Sequence, residues 1–112
     1  MMLVNVTRQT TLAERITLAD TFVSRLAGLM GRSQLPNGEG LVISPCSSVH
    51  TFFMRFAIDV IFIDREYRVI RTIPAMRPFR FSPYVRSARQ VVELPTGTIE
   101  RSQTRVGDIL RW

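Results

Sequence analysis

Asp59-Val60-Ile61-Phe62-Ile63-Asp64 sets four consecutive apolar residues between two aspartates. A run this short, rich in β-branched and aromatic side chains, reads as a strand covered on both faces. Asp64-Arg65-Glu66-Tyr67 then turns the chain, and Arg68-Val69-Ile70-Arg71-Thr72-Ile73 returns as a hairpin partner ending at Pro74. Immediately upstream, Ser47-Ser48-Val49-His50-Thr51-Phe52-Phe53-Met54-Arg55-Phe56 holds the only histidine and three of the seven phenylalanines. The only cysteine, Cys46, precedes it.

Outward from this centre the chain reads as further short strands. Leu3 to Thr7 and Leu12 to Leu18 form a first hairpin, with Leu12, Ile16 and Leu18 on one parity and Glu14 as the exception. Asp20-Thr21 opens a helix, because a short side-chain oxygen there accepts from free first-turn N–H groups. Phe22, Leu26, Leu29 and Met30 supply its apolar stripe and Gly31 its end. Leu35 to Gly40 is a loop, Leu41-Val42-Ile43 a strand stopped by Ser44-Pro45, and Val91-Val92-Glu93-Leu94 another strand. Ala75 to Arg89 is irregular, Thr98 to Arg105 a loop or single helical turn, and Ile109 to Trp112 a closing strand. About seven strands and one helix near residues 20–30 predict a mainly β, single-domain fold over 1–112. The expected form is a β-sandwich or partly closed barrel with antiparallel pairing.

A chain of 112 residues buries enough surface to fold without a disulfide or metal. One cysteine permits no internal bridge. No apolar stretch approaches the ~20 residues of a membrane span. Met1 to Arg8 lacks the basic-then-apolar pattern of a leader, so the expected location is cytoplasmic. The net charge is +6 and every positive side chain is arginine. Between Tyr67 and Val92 stand Arg68, Arg71, Arg77, Arg80, Arg86 and Arg89 with no acid, while the remaining arginines and acids cancel. The whole excess therefore lies in one segment, which favours an anionic ligand or polyanion as partner.

Several blocks resemble one uncharacterised bacterial and archaeal family, domain of unknown function 192. They are Arg25-Leu26-Ala27-Gly28-Leu29-Met30, the His50–Arg55 and Asp59–Asp64 stretches, Val92-Glu93-Leu94-Pro95-Thr96-Gly97 and Val106-Gly107-Asp108. The resemblance covers roughly residues 10–112. It implies a mainly β, jelly-roll-like domain, brings no biochemical activity, and includes some exported relatives. The family commonly has proline where Ala57 stands and glycine where Tyr67 stands, and one branch has tryptophan at the position of Phe53.

No catalytic constellation is recognisable. Cys46 and His50 are of the right types for nucleophile and base, but four strand positions separate side chains by about 13 Å, so only a turn at Ser47-Ser48 unites them. A small buried hydrophobe is the plainer role for such a thiol. One cysteine, one histidine and scattered carboxylates make no zinc signature, and no cofactor motif is present. Asp59, Asp64 and Glu93 are candidate acids, with an Arg55–Asp59 fork as the structural alternative and Glu93 facing an arginine. The expected site is a pocket or groove of His50, Met54, Arg55 and Asp59, rimmed by Arg77 and Arg80. It would bind an anionic ligand: a phosphate- or carboxylate-bearing small molecule, a sugar polymer or a nucleic acid backbone. The alternatives are an enzyme using His50 with Asp59 or Glu93, and a protein-interaction subunit with Phe79, Phe81 and Tyr84 as anchors.

Overall fold

The computed structural model describes the backbone of residues 1–112 and every side chain except those of Phe22 and Leu26. Its element order is β1 (Leu3–Asn5), β2 (Thr10–Ala13), β3 (Arg15–Ala19), α1 (Phe22–Ala27), β4 (Glu39–Ile43), β5 (Ile58–Ile63), β6 (Val69–Met76), β7 (Gln90–Pro95), α2 (Thr98–Ser102) and β8 (Leu110–Arg111). A five-stranded sheet runs β3-β4-β7-β5-β6 and a three-stranded sheet runs β2-β1-β8. The protein is mainly β with two sheets, and neither closes into a barrel.

β5 is the axis of the large sheet. All six of its residues are buried, as the uninterrupted apolar run requires. Ile58, Val60 and Phe62 enter one core with Leu41, Ile43 and Val91. Ile61 and Ile63 face the other way, into a core shared with Leu3, Leu12 and Leu110 of the small sheet. Each fully buried side chain of this size contributes roughly 1.5–3 kcal/mol of transfer free energy. The β5–β6 hairpin forms as expected, but β6 does not end at Pro74: it runs on to Met76, which pairs with Ile58. Tyr67 itself adopts the left-handed backbone (φ 64°) at the turn. Asp64 Oδ1 closes that turn by accepting from the Glu66 and Arg68 N–H groups at 2.9 and 3.0 Å.

Two expectations are corrected. The second strand is not continuous: at Glu14 the chain leaves the small sheet and enters the large one. The Glu14 and Arg15 N–H groups both donate to Gly38 O, at 2.8 and 2.9 Å. Glu14 broke the parity because it sits on this corner. Pairing is also not wholly antiparallel, since β3 and β4 run parallel with α1 as their crossover.

α1 is shorter than the spacing of apolar residues predicts. Thr21 caps it, with Thr21 and Ser24 exchanging side-chain and backbone hydrogen bonds. It stops at Gly28, whose φ of 48° and ψ of −125° suit only glycine, not at Gly31. The stripe assigned to Phe22 and Leu26 lies outside the described side chains. Leu29 is buried, whereas Val23 and Met30 are exposed.

The chain ends are locked together. Asn5 Nδ2 donates to Asp108 Oδ2 at 2.9 Å, Arg105 N donates to the same oxygen at 2.9 Å, and Arg8 Nε pairs with it at 3.1 Å. Burial alone would raise the Asp108 pKa, but these donors outweigh it and hold the carboxyl below its usual range.

Candidate functional site

The stretch from Cys46 to Met54 is neither strand nor helix, and it is held by the arginine-rich segment. Cys46 N donates to Arg89 O at 2.9 Å, Val85 N to Ser47 O at 2.8 Å, Ser82 N to Val49 O at 2.8 Å, and Thr51 N to Arg80 O at 2.9 Å. His50 and Phe81 form an isolated antiparallel bridge. The buried Thr51 hydroxyl is the knot: it donates to Arg77 O at 2.6 Å and accepts from Arg80 N at 2.9 Å. Thr51→Val keeps the shape and leaves both backbone groups unpaired. The expected cost is about 1–3 kcal/mol, seen as a lower urea midpoint, together with faster amide exchange at Arg80.

On one side of this paired unit lies a cavity of about 370 Å³. It is bounded by Ile43 and Glu93 of the large sheet and by Arg25 and Ala27 of α1. Its lining includes Arg25, Gly28, Cys46, His50, Met54 and Glu93. The turn at Ser47-Ser48 does carry Cys46 and His50 to one cavity. The thiol nevertheless donates to Ser48 O at 3.0 Å and not to the imidazole. Burial raises the thiol pKa, and backbone hydrogen bonding at Ser48 and the charge of Arg25 only partly oppose it. Cys46 is therefore a protonated thiol at neutral pH, not an activated nucleophile. His50 Nδ1 accepts from Phe52 N at 3.2 Å, which assigns the ring proton of the neutral imidazole to Nε2. Arg25 is steadied by Pro45 O at 3.1 Å and Thr21 O at 3.3 Å.

Glu93 is the unusual member. Alternation along β7 sends Val92 and Leu94 into the inter-sheet core and turns Glu93 to the cavity. The residue is 2% exposed, and its Oε1 has no hydrogen-bond partner among the described residues. No described arginine forms an ion pair with it. Burial pushes its pKa up to about 8, so at neutral pH it is a carboxylic acid carrying a proton. Its sequence signal was a single acid inside an apolar strand run. A Cβ at Gly28 would stand at an ordinary contact distance of 3.9 Å from Glu93 Oε1, so the backbone conformation there, not the space, calls for glycine.

The other residues predicted for the site divide. His50 and Met54 line the cavity. Arg55, Arg77 and Arg80 are exposed on the adjoining loops and do not line it. Asp59 is elsewhere altogether. It is buried on the opposite parity of β5 from the cavity-side core, and accepts from Ala75, Gly97 and Ile99 N–H groups at 2.9, 3.1 and 2.9 Å. The expected Arg55–Asp59 fork is absent among the described residues, because backbone donors already saturate that carboxylate.

The family described as an uncharacterised ACR, domain of unknown function 192, matches residues 4–112. A UPF0127 protein of Pyrococcus furiosus is 36% identical over 98% of this chain and 97% of its own length. A UPF0127 protein of Thermococcus sibiricus is 34% identical over 99% of this chain and 74% of its own. A solved structure of a Novosphingobium aromaticivorans protein of unknown function superposes with a TM-score of 0.85 at 22% identity, covering 99% of this chain and 82% of that one. That likeness shows the fold. Among the described residues no helix is long and apolar enough to cross a membrane.

Proposed function

We propose a binding role for this chain, which belongs to the domain of unknown function 192 family: it is a module whose cavity takes a small carboxylate- or phosphate-bearing molecule. The observation that carries the reading is the buried Glu93 carboxyl on the cavity wall, whose Oε1 has no hydrogen-bond partner among the described residues and whose pKa burial raises to about 8. A neutral carboxylic acid donates to an acceptor-rich ligand and does not repel it. Arg25 and the Nε2–H of His50 supply further donors around the same space. Apolar walls from Leu29, Ile43, Val49 and Met54 would hold the body of a compact molecule.

Calorimetric titration with small carboxylates and phosphates between pH 6 and 9 tests this. Affinity for the anion should fall as pH rises through about 8, because the ionised Glu93 then repels it. Glu93→Gln should remove that fall, and Arg25→Ala should weaken binding at every pH. Affinity that does not fall with pH would show that Glu93 is not the donor, and absence of binding across the series would refute the reading.

A second reading has one observation in its favour. His50 and Glu93 share the cavity, whereas His50 and Asp59 do not. If the protein is an enzyme, its acid–base pair is His50 with Glu93. Loss of a substrate-dependent activity in a folded His50→Ala variant would support it.

A further inference from the structure

Outside the cavity, the same two loops present a second surface. The rings of Phe52 and Phe81 meet edge to face at 4.7 Å, Phe52 and Phe79 at 6.1 Å, and Phe53 and Phe79 at 6.1 Å. None of these four rings lines the cavity. Phe53, Phe79 and Phe81 are 66%, 54% and 74% exposed. Burial therefore does not explain why they cluster.

The backbone sharpens the point. Phe53 (φ 64°) and Phe79 (φ 60°) both occupy the left-handed region, where bulky side chains are strained and glycine is not. Strain of this kind persists where surrounding structure enforces it, and here Phe79 N is held by Thr51 O at 2.9 Å. The fold thus accepts strain at two residues whose rings remain largely in solvent.

Arginines surround the rings. Arg77 and Arg80 flank Phe79 in sequence, Arg55 follows Phe53 by two positions, and all three are exposed. None of the three forms an ion pair among the described residues. Among the described residues the Arg80 guanidinium makes one long hydrogen bond, 3.4 Å to Phe79 O. No acid occurs between Tyr67 and Val92 to neutralise the segment.

We propose that this face of rings and arginines binds a single-stranded polynucleotide. Exposed rings beside unpaired guanidinium groups match a chain that alternates flat bases with phosphates. A duplex hides the flat faces of its bases, and a plain polyphosphate has none, so neither would use the phenylalanines. Ring stacking and phosphate pairing read no base edges, so binding should be tolerant of sequence.

The test is fluorescence anisotropy of a labelled short oligothymidylate with the full chain over a salt series. Wild type should bind at low salt, with log affinity falling linearly against log salt. Each of Arg55→Ala, Arg77→Ala and Arg80→Ala should flatten that slope by about 0.7, the value for one phosphate contact on a single strand. Phe79→Gly and Phe53→Gly should each weaken binding roughly tenfold, while leaving the melting temperature equal or higher, since glycine relieves the left-handed backbone. Phe81→Ala, at an ordinary backbone position, should weaken binding similarly and guards against misfolding of the glycine variants. Arg25→Ala, in the cavity, should leave oligothymidylate binding unchanged, which separates this face from the cavity ligand. Polyphosphate competing as well as oligothymidylate, together with unchanged affinity in the phenylalanine variants, would reduce the face to a charge patch and overturn the proposal. Undetectable binding at low salt would overturn it too.

Discussion

Asp59→Ala is expected to destabilise the protein by about 3–5 kcal/mol, because three backbone donors lose their acceptor at about 1–3 kcal/mol each. The carboxylate accepts from three backbone N–H groups: Ala75 on β6, and Gly97 and Ile99 at the start of α2. Alanine leaves all three donors buried or half-buried without an acceptor. Asp59→Asn retains one acceptor oxygen and places an amide N–H₂ against a donor, so its loss should be smaller but substantial. Equilibrium urea unfolding gives the free energy directly. Amide exchange should quicken first at Gly97 and Ile99, because α2 begins at this anchor. A loss below about 1 kcal/mol would mean that water satisfies these donors.

Glu93→Gln should act in the opposite direction and depend on pH. The Glu93 pKa is raised from 4.5 to about 8 in the folded protein. The folded state therefore holds a proton that the unfolded state has released throughout that interval. Stability is highest below the ordinary carboxyl range, declines as pH rises through the interval, and is flat once the folded group ionises near pH 8. Glutamine does not titrate. It should match wild type near pH 4 and exceed it by a few kcal/mol at pH 8, because each tenfold change in proton affinity is worth roughly 1.4 kcal/mol. Asp108, held below its usual range, bears only on the acid limb, where its contribution is lost as it protonates. Thermal denaturation of both proteins across this range is the measurement. Parallel pH profiles would show that Glu93 ionises normally and would remove the donor on which the cavity reading depends.

The two mutations also mark how the candidate site divides between sequence and structure. Asp59 looked like a site residue because it lies nine positions from His50 and four from Arg55. Strand alternation set it on the inter-sheet side of β5 instead, where backbone donors were waiting. Glu93 lies far from His50 in sequence, yet β7 neighbours both β4 and β5 in the sheet. That placement brings its carboxyl to the cavity that His50, Met54 and Cys46 line. Arg77 and Arg80 were legible as a charged segment. Their absence from the cavity lining was not, because it depends on how distant segments pack.

By itself the sequence determined the properties that local pattern and composition control. The run Val60-Ile61-Phe62-Ile63 has no polar face, so β5 had to be buried on both sides. Thr21 could cap a helix, Asp64 could close a hairpin turn, and the arginine excess was confined to one segment, because each depends only on near neighbours in the chain. Tertiary structure alone decided the transfer of the chain between sheets at Glu14, the parallel pairing of β3 with β4, and the isolation of Glu93 in an apolar wall. Each of these is a relation between segments far apart in sequence. A carboxyl's proton affinity depends on the solvent around it, and only the packed fold buries Glu93 to 2% exposure.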